Sequence, residues 1–287
     1  MKKLLVILIC LLSLAGCSNK PGYAKVSDGD EVIFEGPNIK YTKEELFDVL
    51  KLNSQTALEE EFIENIAKDK GIDTESFDND AQDYVDAMIE YGLESTIISY
   101  YGSVEAFKEM YKEQLLETAL VKNYVEGKYD EYKTQDSPKL IQTINFEDEE
   151  TAVKFMNDVN GGMSFEEAAT ENGYTSDVSS YVVLASDSLA TGIRDYVDNT
   201  DKLGLSTIIS DVTSSTDADG NATETTKYYL VNVVENDVEN FKEQYIETKA
   251  SEISLSNILD ALLKEYNIEF FDQDLYDVMS AAHEGLK

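Results

Sequence analysis

The sequence predicts an α+β protein. Three observations predict it: apolar side chains recur at helical spacing from about residue 36 to 133, short alternating stretches and turn residues replace that spacing from about 139 to 234, and a long amphipathic stretch follows from Val238 to Tyr266. At 287 residues the chain has room for two compact domains, or for one domain inserted in another.

The N-terminus comes first in order. Lys2 and Lys3 precede an apolar run from Leu4 to Leu14, the charged and apolar regions of an export signal, too short to span a bilayer as a stable helix. The run ends in Leu14-Ala15-Gly16-Cys17, which resembles a bacterial lipobox. That resemblance implies a diacylglyceryl group on Cys17 and cleavage before it; the plain alternative is an ordinary cleaved signal with an incidental cysteine. Cys10 would leave with the signal and Cys17 would carry lipid, so no thiol would remain for a disulfide, a metal or a nucleophile. Two acyl chains on one residue suffice for stable anchoring. The expected spans are a signal over 1–16 and a lipidated tether with an extended arm over 17–35. The exported part is then expected on the outer face of the cell membrane.

Charge sets the partners. Asp and Glu number 58 against 23 Lys and Arg, a formal charge of −35, and such a field repels phosphate backbones and anionic membrane surfaces at long range. Nucleic acid is not expected as a partner. Basic polypeptides would be attracted, although a strongly acidic surface is also a common solubility device.

From Val26 to Phe34 an alternating stretch with turn residues at Asp28-Gly29-Asp30 predicts a small hairpin or extended arm. Thr42-Lys43-Glu44-Glu45 is a capping box, and Leu46, Val49 and Leu50 form the apolar face of the helix it opens. A second helix places Leu58, Phe62, Ile63 and Ile66 on one side and ends at Gly71. A third, opening near Thr74, carries Phe77, Ala81, Tyr84, Val85 and Met88 and is expected to run on towards Tyr101. Ser103 caps a fourth, with Phe107, Met110, Tyr111, Gln114, Leu115 and Ala119 repeating at three and four. Each buries one stripe and shows an acidic face to water. Tyr84, Tyr100, Tyr101, Tyr111, Tyr124, Tyr129 and Tyr132 at this spacing read as core with hydroxyls at the surface, the alternative being a peptide-binding groove.

Ser137-Pro138 ends the helical series, because the residue before proline is pushed out of the α region and proline cannot donate to a helix. A strand follows from about Lys139. Asp148 to Asn160 reads as a helix stopped by Gly161-Gly162, Ser164-Phe165-Glu166-Glu167 as a second capping box, with Phe165, Ala168 and Ala169 inward, and Gly173 as its stop. Tyr181–Leu184 and Lys227–Val234 read as strands, with a hairpin tip at Asp219-Gly220.

These residues carry a resemblance. "TINFEDEETAVKFMNDVNGGMSFEEAATENG" resembles the opening of a parvulin domain, a small α+β peptidyl-prolyl isomerase, and "KLGLSTIIS" with "KYYLVNVVEND" resembles its closing glycine-serine turn and final central strand. A lipobox, the helical segments "YTKEELFDVLK" and "GSVEAFKEMYKEQLLETALVKNYV", this insert, and the C-terminal "FKEQYIETKASEISLSNILDALLKEYNIEFFD" together resemble PrsA-type foldase lipoproteins, related in layout to the chaperone SurA. The resemblance implies a discontinuous α-helical chaperone domain, residues 36–136 completed by 237–287, with a parvulin-like domain inserted at 137–236. It implies a groove or bowl beside the helices for client segments. Newly exported, unfolded polypeptides are the implied partners, and a homodimer is left open.

The implied catalysis fails residue by residue. Active parvulins set one histidine at the start of the first strand and another in the last; here those positions fall at Thr143 and Tyr229. The single histidine, His283, lies in the polar tail "AAHEGLK" and is expected to be solvated. Leu189 and Ile193 are the substitutes offered for the family's proline-pocket pair. Prolyl rotation has a barrier of roughly 18–20 kcal/mol and breaks no covalent bond, so a twisted-amide pocket matters more than a nucleophile. Weak or absent isomerase activity is expected.

Nothing else selects an enzyme. No Gly-x-Ser-x-Gly elbow, phosphate-cradling glycine loop or zinc set is present. Asp217-Ala218-Asp219-Gly220-Asn221 has a calcium-loop flavour, but its glycine is misplaced and Tyr228 stands where a bidentate glutamate belongs, so a plain turn is expected and no cofactor or metal. Three functions are weighed: an anchored chaperone or foldase, a working prolyl isomerase, and a non-foldase ligand-binding or scaffold lipoprotein.

Overall fold

A computed structural model describes residues 22–174, 178–216 and 222–286. Cys17 and the Asp219-Gly220 tip lie outside the described residues, as does the whole expected export signal. The fold is α+β, and the chain divides into two compact units: Met1–Val121 with Ser254–Lys287, and Lys122–Ile253.

The first unit opens with Val32–Gly36 (β1) and Ile39–Thr42 (β2), an antiparallel hairpin that closes at Pro37-Asn38. The turn at Asp28-Gly29-Asp30 forms, but it precedes the hairpin rather than closing it. Thr42 then caps Lys43–Leu52 (α1) with the expected box: its hydroxyl accepts from the Glu45 N–H, and Glu45 accepts from the Thr42 N–H at 2.7 Å. The apolar stripe expected to be inward on this helix, Leu46, Val49 and Leu50, is exposed. Lys51 is the buried residue instead, 4% exposed, because its ammonium is held by Asp274 at 2.7 Å, Asp48 at 3.2 Å and Asp272 at 3.6 Å. These contacts turn the other side of α1 towards Gln273–Ala282 (α12), so the helix rotates its leucines outward.

Gln55–Asp69 (α2) buries Ile66 and Ala67, and Gly71 follows it at φ 71°. The expected third helix is two: Phe77–Glu90 (α3) and Glu94–Tyr101 (α4). Gly92 at φ 79° breaks it, a left-handed conformation that glycine adopts without a side-chain clash. Ser103 begins Val104–Gly127 (α5), its hydroxyl accepting from the Ala106 N–H at 3.0 Å, and α5 carries the chain into the second unit. Val85, Ile97 and Phe107 form a small core here. The tyrosines differ: Tyr84 stacks on Tyr111 at 4.1 Å, whereas Tyr100 is almost fully exposed and is no part of a core.

The long C-terminal helix expected over Val238–Tyr266 is also broken. A 3₁₀ turn at Val238–Asn240 leads into Lys242–Glu252 (α10), and a new helix, Leu255–Glu265 (α11), starts after Ser254, whose extended backbone and capping box with Asn257 reset the chain. The first half packs inside the second unit, where Phe241 and Tyr245 join Tyr129 and Leu184 in one cluster. The second half belongs to the first unit, where α11 buries Leu255, Ile258, Leu259, Leu262 and Leu263. Tyr266 donates to Asp69 at 2.7 Å and Lys70 pairs with Glu265 at 3.2 Å, tying α11 to α2. His283 is not solvated: its ring nitrogens lie 3.0 Å from Asp260 and 3.0 Å from Glu59, and its side chain is 12% exposed. Beside it Gly285 approaches the Asp260 carbonyl so closely that a Cβ would lie 2.0 Å away, so only glycine fits.

In the second unit Tyr129–Asp136 (α6) ends where expected, with Ser137 left-handed at φ 44° before Pro138. Lys139–Phe146 (β3), Glu149–Asn160 (α7), Phe165–Glu171 (α8), Tyr181–Val183 (β4), Thr191–Asn199 (α9), Gly204–Leu205 (β5), Ile209–Thr216 (β6) and Ala222–Glu235 (β7) follow. The helix α9 was not read from the sequence. All pairings are antiparallel, in the order β4-β3-β7-β5 with β6 also on β7, so the last strand is central. Asp148 caps α7, and the Ser164 box caps α8. At one end of the unit α6 and α10 enclose Tyr129, Leu140, Leu184 and Tyr245, and buried Asp136 accepts from the Tyr245 hydroxyl and pairs with Lys249, both at 3.0 Å. Among the described residues, no helix is long and apolar enough to cross a membrane.

Candidate functional site

Side chains alternate across a strand, so β3 and β7 present two faces. Ile144, Phe146 and Leu230 point to one face and pack on Phe155 of α7 and Phe165 of α8. Ile141, Val231 and Val233 point to the other and pack on Ile193 and Val197 of α9. The positions implied by the parvulin resemblance all fall on this second face.

Thr143 lies opposite Val231, and Asn145 opposite Tyr229, in the β3–β7 register. Thr143 and Tyr229 are therefore diagonal neighbours on one face, at a distance of about 7–8 Å between backbones for such pairs. The half-buried Thr143 hydroxyl is 3.1 Å from the hydroxyl of Tyr181, which reaches it from β4. Burial pushes the Tyr181 phenol up from its ordinary value, and the Thr143 hydrogen bond works against that rise. Tyr229 is half-buried against Ile209 of β6, its partner in register. Leu189 and Ile193 join the same cluster: Leu189 is half-buried, and Ile193 is 6% exposed and serves as core under the sheet.

The helix that covers this face is fixed at both ends. Arg194 donates to the carbonyls of Leu184 at 3.0 Å and Asp187 at 2.7 Å. Buried Lys139 donates to the carbonyls of Val197 and Thr200, satisfying orphan groups at the C-terminal end of α9. The expected glycine-serine turn also closes on the sheet: Ser206 exchanges hydrogen bonds with Val231, N–H to carbonyl at 2.8 Å and hydroxyl from N–H at 3.0 Å. The face is thus a packed floor carrying hydroxyls and an amide at its open end. Thr143, Asn145, Tyr181 and Tyr229 can donate and accept hydrogen bonds there, but none is an acid or base of the histidine type.

Sequence reasoning brought Thr143, Tyr229, Leu189 and Ile193 to this face and missed Tyr181, Asn145 and Ile209. Asn145 was accessible from the alternation of "TINF". Tyr181 was not, since its contact depends on how two strands separated by two helices pair. Among the described residues no group of three or more His, Cys, Asp or Glu is arranged to hold a metal ion.

A second surface lies in the first unit. Phe34 (53% exposed), Ile39 (64%) and Leu50 (58%), with Val32, Ile33, Leu46, Val49 and Leu52, leave eight large apolar side chains of β1, β2 and α1 open to solvent. Phe34 stacks on Tyr41 at 5.1 Å, the one aromatic pair within the hairpin.

No family model matches the chain, and no curated protein sequence matches it. Solved structures similar to this chain are those of foldases and peptidylprolyl isomerases. The foldase protein PrsA of Streptococcus pneumoniae is 19% identical, with 87% of this chain and 99% of that chain covered and a TM-score of 0.42. PrsA of Lactococcus lactis is 18% identical, with 88% and 99% covered and a TM-score of 0.43. The peptidylprolyl isomerase PrsA of Bacillus cereus is 16% identical, with 89% and 99% covered and a TM-score of 0.41.

Proposed function

We propose that this chain is a membrane-anchored chaperone or foldase for newly exported polypeptides, acting outside the cell membrane, and that its strand-bearing unit is a parvulin-like fold with weak or no isomerase activity. The observation that carries the reading is the set of eight exposed apolar side chains on β1, β2 and α1. Apolar side chains scattered singly over a surface are ordinary, but eight within one short stretch of a strongly charged chain mark a surface that contacts another apolar body. An unfolded client offers such a body, and the chain's charge keeps the complex soluble. The anchor is Cys17, read from the lipobox alone, and the first unit is the chaperone part.

The sheet face supports the second half of the reading. Where an active parvulin would carry two histidines this chain carries Thr143, tied to Tyr181, and Tyr229, packed on Ile209. Ile193 fills the floor as core rather than lining an open proline pocket. The same residues would serve an alternative, a weak isomerase acting by hydrogen bonds from hydroxyls alone.

Suppression of aggregation of an unfolded secreted protein is the test. The purified exported chain is expected to lower light scattering at comparable molar amounts, and Phe34→Ser with Leu50→Ser is expected to reduce that effect at unchanged thermal stability. No suppression by the parent chain would sink the reading in favour of a non-foldase lipoprotein.

A further inference from the structure

We propose that a groove in the first unit, between α2, the loop that follows it and α5, docks basic, apolar-interspersed segments of the client; this deepens the chaperone reading and rests on it. The groove encloses about 870 Å³, within the range of about 300–1,000 Å³ usual for clefts that seat a ligand. It is sized for a short stretch of side chains rather than for a folded partner.

Its floor is apolar: Ile72, Phe77 and Leu116 are each half-buried at its base. Its rim carries an excess of acids, with Glu61 and Glu64 from α2, Glu75 from the loop and Glu113 from α5 outweighing the lysines Lys68 and Lys112 that also line it. Two other lining carboxylates are already matched, Asp78 of α3 by Lys108 at 3.1 Å and Glu109 of α5 by Lys112 at 3.1 Å. Glu61, Glu64 and Glu113 have no cation paired with them among the described residues. Glu113 shows the consequence: partial burial, then Glu60, Glu117, Glu109 and Glu64 around it, hold its carboxyl above the usual range. A cation placed in the groove would offset the repulsive part of that rise, which comes second to burial.

Three features choose the occupant. The rim acids are spread along two helices and are not gathered as a metal cage, so a bare divalent ion has too few ligands. The floor favours alkyl groups, and lysine and arginine supply both, laying an aliphatic stem on apolar surface while the charged head reaches the rim. An acidic or uncharged apolar segment would leave the same carboxylates crowded and desolvated, which selects against it. The exposed surface of β1, β2 and α1 would hold any apolar client; the groove adds a preference by charge.

The probe is a fluorescein-labelled peptide of alternating Lys and Leu, compared with Glu/Leu and Ser/Leu peptides, titrated with the full exported chain. The Lys/Leu peptide is expected to bind most tightly and to weaken as salt shortens the screening length from about 10 Å at 0.1 M. Glu64→Gln with Glu113→Gln is expected to weaken it about tenfold, the upper scale of two lost charge contacts at exposed carboxylates. Glu90→Gln with Glu126→Gln removes the same charge elsewhere and is expected to change binding by less than about twofold. Ile72→Ser is expected to weaken binding without changing charge, with thermal unfolding confirming the fold. Equal loss in the two double variants, or equal binding of the three peptides, would overturn the proposal. The same preparations tested for aggregation suppression separate the claims: suppression without Lys/Leu binding overturns the groove and leaves the chaperone reading, and loss of both by the parent chain overturns both.

Discussion

The two faces of the β3–β7 sheet are built from neighbouring residues of the same strands, yet they end differently. On one face aromatic packing fills the Ile144–Phe146 end, where Phe146 meets Phe155 at 5.4 Å and Phe155 meets Phe165 at 5.1 Å, both edge-on, with Leu230 fully buried beside them, before it gives way to buried Gln142, which accepts from Asn232 at 2.7 Å. On the other, Ile141, Val231 and Val233 are buried beneath α9, but the strand then opens through half-buried Thr143 to exposed Asn145. A fold survives wherever side chains pack. Chemistry survives only where particular groups stand at the open end, and packing places no demand on them there.

Substitutions along this gradient should lose effect in order. Phe155→Ala removes the centre of the aromatic face and should cost about 3–5 kcal/mol, read as a large fall in the denaturant midpoint of the second unit. Ile193→Ala empties the covered end of the opposite face and should cost about 2–4 kcal/mol. A loss at Ile193 as small as at a surface site would break the comparison, since that face would then not be a core at all. Tyr181→Phe removes only a hydroxyl contact at a side chain 38% exposed, and should fall within about 0.5 kcal/mol. A much larger loss would mean that the Thr143–Tyr181 pair is part of the fold.

The smallest effect should have the opposite sign. Because the Glu113 carboxyl is held above its unfolded value, its charge weighs against the folded state at neutral pH and that weight lifts as the group protonates. Glu113→Gln should therefore raise stability slightly at pH 7. The gain should shrink as pH falls through the raised value, and vanish below the ordinary carboxylate range near pH 4. Thermal melts at pH 7 and pH 3.5 read the difference.

What the sequence revealed followed locality. Thr42, Asp148 and Ser164 cap their helices as read, because a cap depends on residues three apart. The inward Phe165, Ala168 and Ala169 and the strand from Lys139 were legible for the same reason. The misses needed distant partners. The rotation of α1 depends on Lys51 meeting Asp272 and Asp274 some 220 residues later, and His283 looked solvated until Glu59 and Asp260 enclosed it. Periodicity continued through Gly92 and Ser254, where local backbone geometry interrupts two helices. Of the site, Thr143, Tyr229, Leu189 and Ile193 could be assigned to one face by resemblance, but Tyr181 entered only through strand pairing.

The central proposal is that the chain acts as a foldase while its strand-bearing unit has little or no isomerase activity. The direct measurement is the cis-to-trans relaxation rate of a prolyl peptide in the presence of the full exported chain, at concentrations where that chain suppresses client aggregation. The account predicts suppression with relaxation close to the uncatalysed rate, set by the barrier of roughly 18–20 kcal/mol. Acceleration matching that of an active parvulin would contradict it.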